Sequence, residues 1–144
     1  MEATQISRSA LDVEWQRLQV IATNLANINT TRTGNGETYT AQRLVSGPVA
    51  DFGAELRAEN KADAPPERGV MVYQIAQSNA GSRQVFNPDH PHANEDGFVS
   101  YPNISQADEM SLMIKTQCAY QANLVALQAA QRMFSSALPV GTQS

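Results

Sequence analysis

The sequence predicts an α+β fold in which N- and C-terminal helices pair as a coiled coil, with a small antiparallel β insertion between them. The breakers of regular helix are unevenly spread. Residues 1–33 and 103–138 contain no glycine or proline, whereas six of the seven prolines and seven of the eight glycines lie within 34–102. Apolar residues recur every seven positions in both breaker-free segments. The middle shows short runs of alternating character between turn residues. These features divide the chain into an N-terminal helix (1–31), a β-rich middle (32–103) and a C-terminal helix (104–144).

In the first segment Leu11, Leu18 and Leu25 are seven apart, Ile21 and Ile28 are offset by three, and Trp15 and Ala22 flank the same stripe. Ser7 or Ser9 can cap the start. The run Asn27 to Thr31 should end the helix, because short amides and hydroxyls compete for backbone hydrogen bonds. The expected span is about 6–28, roughly 35 Å long.

The middle should hold strands at Thr38 to Val45, Val70 to Ala76, Arg83 to Phe86 and Gly97 to Tyr101. The stretch Asp51 to Arg68 mixes charge with Ala, Pro and Gly without a period and is expected to be a loop. In the last segment Met113, Tyr120, Leu127 and Phe134 recur every seven, with Met110, Leu124, Leu138 and the glutamines Gln117 and Gln131 in the partner row. Ser105 precedes Asp108 and Glu109, which suit a first turn, so this helix should run from about 106 to 138.

A chain of 144 residues has room for one ordinary core. Ten Lys and Arg against fourteen Asp and Glu leave no broad basic footprint for nucleic acid or anionic lipid. Cys118 is the only cysteine, which excludes an intrachain disulfide and a Cys-Cys metal knuckle, and it reads as a small packing residue. No window reaches the roughly 18 apolar residues needed to span a bilayer, and Met1 to Leu11 shows no basic segment followed by an apolar run. The expectation is a chain without membrane insertion or a cleaved Sec-type signal.

The faces of the two helices point to a role. No charged residue occurs from Leu18 to Thr31 or from Thr116 to Gln131. An isolated amphipathic helix keeps one charged face, but here the positions off the stripe carry amides and small residues, which tolerate burial when hydrogen-bonded. An intrachain seam is therefore expected at Leu11, Leu18, Ile21, Leu25 and Ile28 against Met113, Tyr120, Leu124, Leu127 and Phe134. Asn24, Asn27, Gln121, Asn123 and Gln128 are expected to face neighbouring subunits. The competing reading is a monomeric helical hairpin with a solvated Gln-rich face.

Nothing points to catalysis. His90 and His92, near Asp89, Glu95 and Asp96, have the composition of a metal loop, but Pro91 between alternating histidines gives no known ligand spacing. That segment reads as a solvated or intersubunit loop. Asp12 and Glu14 are two apart and point to different faces. The glycines at 34 and 36 precede strand-like residues rather than a helix start, so they form no phosphate loop. No catalytic, cofactor-binding or metal residues are expected.

The residues also resemble a known family. Ser9-Ala10-Leu11, Arg17-Leu18, Ala22-Thr23-Asn24-Leu25-Ala26-Asn27 and Asn29-Thr30 resemble the N-terminal signature of flagellar rod and hook axial proteins. Tyr39 to Arg43, Val85 to Pro91, Asp96 to Ile104 and Tyr120 to Asn123 are similar to its proximal-rod branch, and the likeness covers nearly the whole chain. His92 and the 31–36 loop depart from that pattern. The resemblance implies a structural subunit of the basal-body rod in the periplasm, part of the drive shaft that transmits motor torque. Its implied partners are other rod proteins and copies of itself in a helical tube, together with the flagellar type III export apparatus, which would export the chain without cleavage. It also implies that the terminal helices line the tube and the middle faces outward. The alternative is a soluble coiled-coil adaptor or export-associated chaperone.

Overall fold

With no proline or glycine to interrupt them, both terminal segments form long helices. The computed structural model describes residues 2–49 and 69–137. In chain order the elements are α1 (Glu2–Ala26), β1 (Gln42–Pro48), β2 (Val70–Gln77), β3 (Ser82–Phe86), β4 (Phe98–Pro102) and α2 (Gln106–Ala137). The architecture is α+β, with two two-stranded sheets, β1 with β2 and β3 with β4. The strand expected from Thr38 starts four residues later, at Gln42; the other three fall within about one residue of expectation. The expected loop from Asp51 to Arg68 and the seam position Leu138 lie outside the described residues.

The described chain separates into two compact units. The first comprises 2–15, 46–49, 69–73 and 117–137; the second comprises Gln16–Val45 and Gln74–Thr116.

In the first unit the Ser9 hydroxyl donates to the Ile6 carbonyl at 2.8 Å and accepts from the Val70 N–H at 3.1 Å, tying α1 to the start of β2. Gly69, at φ +119°, lies against Ser9, and any side chain there would run into the Ser9 hydroxyl. Its φ is essentially glycine's alone. Gly69→Ala is expected to lower stability by about 2–4 kcal/mol, backbone strain adding to the clash. Chemical denaturation checks this, and a loss under about 0.5 kcal/mol would show that Ser9 moves aside freely.

In the second unit β3 and β4 pair antiparallel from Ser82↔Pro102 to Phe86↔Phe98. The cross-strand pairs do the stabilising. Gln84 Nε2 donates to Ser100 Oγ at 2.8 Å, Arg83 lies over the Tyr101 ring, and Phe86 meets Phe98 edge-on at 5.3 Å. The β3–β4 loop closes on Asn94, whose Oδ1 accepts from the Asp96 and Phe98 N–H groups. The core of this unit is small: Val20 and Ile21 from α1, then Ala41, Val99, Pro102 and Ile104.

Burial on the helices follows rows adjacent to the expected ones. On α1 it centres on Val13, Val20, Ile21 and Asn24, while Leu11, Leu18 and Leu25 are only half-buried, as is Ile28 in the turn just after the helix. On α2 the buried positions are Glu109 and Thr116, continued by half-buried Asn123 and Ala130. Met113, Tyr120 and Leu127 are half-buried beside them. Leu124 and Phe134, expected in the seam, are exposed. Apolar and small residues occupy most of α2's circumference, so the seven-residue period does not by itself choose between neighbouring rows. Cys118, expected to pack, is exposed as well.

Candidate functional site

Two features of the structure bear on function: a buried polar cluster in the second unit, and the open faces of the helices.

The cluster is built on Asn24. This side chain is 0 % exposed and all of its hydrogen-bonding capacity is used. Oδ1 accepts from the Gln42 N–H at 2.9 Å and from the Tyr39 hydroxyl at 3.0 Å. Nδ2 donates to the Gln42 carbonyl at 2.9 Å and to Glu109 Oε2 at 3.2 Å. The amide thus bonds the Gln42 backbone on both sides, as a neighbouring strand would, and docks β1 onto α1. Asn24 was expected to face a neighbouring subunit. Instead its four bonding positions are filled inside the chain, because Tyr39, Gln42 and Glu109, distant in sequence, converge on it.

Glu109 is 1 % exposed and carries the charge of the cluster. Its other oxygen, Oε1, pairs with the half-exposed Arg43 guanidinium, which also donates to the Gln42 carbonyl at 3.1 Å. A buried carboxylate needs such partners, since an unpaired one would cost several kcal/mol. Burial, and secondarily the Glu109 carboxylate, push the Tyr39 phenol above its usual range, with Arg43 opposing. Tyr39 therefore remains a hydroxyl donor to Asn24 at neutral pH. Glu109 was read only as a first-turn acid. The available signal was its place seven residues before Thr116, in the row of α2 that becomes buried.

The other expected interface residues lie elsewhere. Asn27 is half-buried and bonded locally, donating to the Thr23 carbonyl and accepting from the Thr30 hydroxyl. Asn123 is half-buried. Gln121 and Gln128 are exposed on α2. Beside them α2 leaves large apolar side chains open: Val125 is 64 %, Met133 69 % and Phe134 53 % exposed. On α1 Trp15 is exposed, and on β2 the outward row is Met71, Tyr73 and Ile75.

His90 and His92 meet edge-on at 5.3 Å, the His92 N–H donates to His90 Nδ1, and His92 Nδ1 bonds the Thr31 hydroxyl at 2.8 Å. These contacts fasten the 87–97 loop to the loop after α1. A polar cleft of about 350 Å³ lies beside them, lined in part by Arg32, Thr38, His92 and Ser100. Among the described residues no three His, Cys, Asp or Glu side chains are grouped to hold a metal ion. No described helix is long and apolar enough to cross a membrane.

Comparison with known proteins places this arrangement. The flagella basal body rod protein family matches residues 5–32, and the flagellar basal body rod FlgEFG protein C-terminal family matches residues 95–138. Asn24 lies in the first match and Glu109 in the second, so the 3.2 Å bond between them joins the two family segments. The chain is similar to the flagellar basal-body rod protein FlgC of Bacillus subtilis (strain 168), at 32 % identity over 94 % of both chains. It is similar to FlgC of Yersinia enterocolitica at 33 %, and of Salmonella typhimurium (strain LT2) at 30 %, each over 94 % of this chain and 93 % of the relative. A likeness that spans the β strands as well as both helices is one of whole chains, and the chain belongs to the FlgC-type family of flagellar basal-body rod proteins, structural subunits of the rod.

Proposed function

We propose that this chain is a subunit of the proximal rod, assembling with copies of itself and other rod proteins into the helical tube that carries motor torque across the periplasm. In this reading the terminal helices (1–31 and 104–144) pair as a coiled coil lining the tube, and residues 32–103 form an outward β domain. The flagellar type III apparatus exports the chain without cleaving a signal. The subunit works as a mechanical part, with no substrate or cofactor. The observation that carries the reading is the open face of α2, where Val125 stands exposed within a stretch free of charge from Thr116 to Gln131 and Met133 and Phe134 stand exposed just after it. A soluble helix with that surface gains by covering it, and subunit packing does so at every copy.

Gln121 and Gln128 sit on this helix as exposed amides, able to donate and accept in a packed contact at about 1 kcal/mol per bond. Gln121→Lys and Gln128→Lys are expected to leave the isolated subunit within about 0.5 kcal/mol of the unsubstituted protein. Both should still be exported, and both should fail to complete rods. Rod yield is read by electron microscopy of basal bodies, alongside thermal unfolding of the purified subunit. Normal yield for both variants would return this face to solvent.

A further inference from the structure

We infer that the polar cleft of the second unit is a carboxylate-binding site anchored by Arg32. The cleft, of about 350 Å³, lies where the loop after α1 meets the 87–97 loop and β4. The hydrogen-bonding groups of its wall are unevenly committed. Asn94 gives its Oδ1 to the Asp96 and Phe98 N–H groups, which fixes the orientation of the amide and leaves its Nδ2 protons free. Ser100 Oγ accepts from Gln84 Nε2 and keeps its own proton. The Thr31 hydroxyl bonds His92 Nδ1, and in the tautomer that accepts this bond the ring proton sits on Nε2. Arg32 is exposed, and among the described residues no side chain or carbonyl pairs with its guanidinium.

The capacity left over is therefore mainly N–H and O–H donors around one fixed positive charge. An ionised carboxylate is an acceptor only and takes paired N–H bonds from a guanidinium, so it complements this set, whereas a neutral amide brings donors that meet no use. Glu37, Asp89, Glu95 and Asp96 belong to the same loops, but they are exposed and no acidic side chain among the described residues lines the cleft. The place of the anion is thus open to a ligand from outside the chain. A phosphate, with close to two negative charges, would exceed the single guanidinium and meet repulsion from those four acids. The volume is larger than a carboxylate needs, and Phe98 and Pro91 in the wall offer apolar surface to the methylene stem of an acidic side chain. The inference concerns the subunit alone and holds whether or not the chain enters a rod.

The test follows the amide resonances of the isotope-labelled full-length chain, at constant ionic strength, as N-acetylglutamate amide is added; its only charge is the side-chain carboxylate. The amides of Gly36, Thr38, His92 and Ser100 should shift together and saturate, with a dissociation constant on the order of millimolar. The glutamine analogue should give no saturable shift. Arg32→Gln should weaken binding about tenfold or more, through loss of the charge-assisted pair. Arg8→Gln, at an exposed position of α1 outside this unit, should bind as the unsubstituted chain does. Asn94→Asp keeps an oxygen for the Asp96 and Phe98 N–H groups but turns the spare donor into a negative oxygen, and should abolish saturation while the ligand-free spectrum stays folded. Acetate separates two sources of the carboxylate, and both outcomes support the site: weaker binding than the blocked glutamate assigns it to a side chain of another protein molecule, equal or tighter binding to a free small acid. The absence of saturable shifts at these amides would overturn the assignment. So would equal binding of the glutamine analogue, unchanged affinity in Arg32→Gln, equal weakening in Arg8→Gln, or tighter binding of inorganic phosphate.

Discussion

Ile21→Asp is expected to abolish folding of the second unit. Ile21 is 1 % exposed and is the largest fully buried side chain on α1. Its replacement removes about 2–3 kcal/mol of apolar burial and leaves a carboxylate without a partner, at a further several kcal/mol. Together these approach the whole stability of an ordinary domain, about 5–15 kcal/mol. Ile21→Val, which removes one methyl group, should cost only about 1 kcal/mol. Circular dichroism with guanidinium unfolding compares the two. An Asp variant with a cooperative transition within about 2 kcal/mol of the unsubstituted chain would mean that Ile21 is not in the core.

Phe134→Asp should have the opposite profile, leaving the subunit intact and preventing the rod. Phe134 is exposed, so a polar replacement should change the isolated subunit by no more than about 0.5 kcal/mol. In an assembly where α2 packs against its neighbours, the same substitution buries a carboxylate at every copy, and the penalties accumulate along the tube. Cells making the variant at normal levels should not swim, and their basal bodies should lack complete rods. Swimming at the unsubstituted rate would show that Phe134 remains in solvent after assembly.

Most of the framework was legible because it rests on local rules. Gly and Pro mark where helices stop, and they placed both helices and three of the four strands within a few residues. β1 starts at Gln42 rather than Thr38, at the residue whose backbone bonds Asn24, a contact eighteen residues away that no local pattern encodes. The seam was legible only as a period. Val13 and Val20 on α1, and Glu109 and Thr116 on α2, prove more buried than the leucines and Phe134 that the heptad favoured.

The polar cluster was hidden for a related reason. Asn24 was recognisable as an amide able to survive burial, but its partners are set by tertiary convergence. Glu109 already had a sufficient local explanation at the start of α2, beside Asp108. Arg43 and Tyr39 carry no motif of their own. What identified the chain was the order of short motifs along its whole length, and its likeness to relatives at about 30 % identity runs over 94 % of the chain.

The most direct measurement is the protein content of basal bodies isolated from cells that lack the native gene and carry a tagged copy of this chain. The account predicts that the chain copurifies with the rod in a fixed, small number of copies per basal body, and that cells without it have no complete rod. Complete rods built in its absence, with the chain recovered only in the soluble fraction, would contradict it.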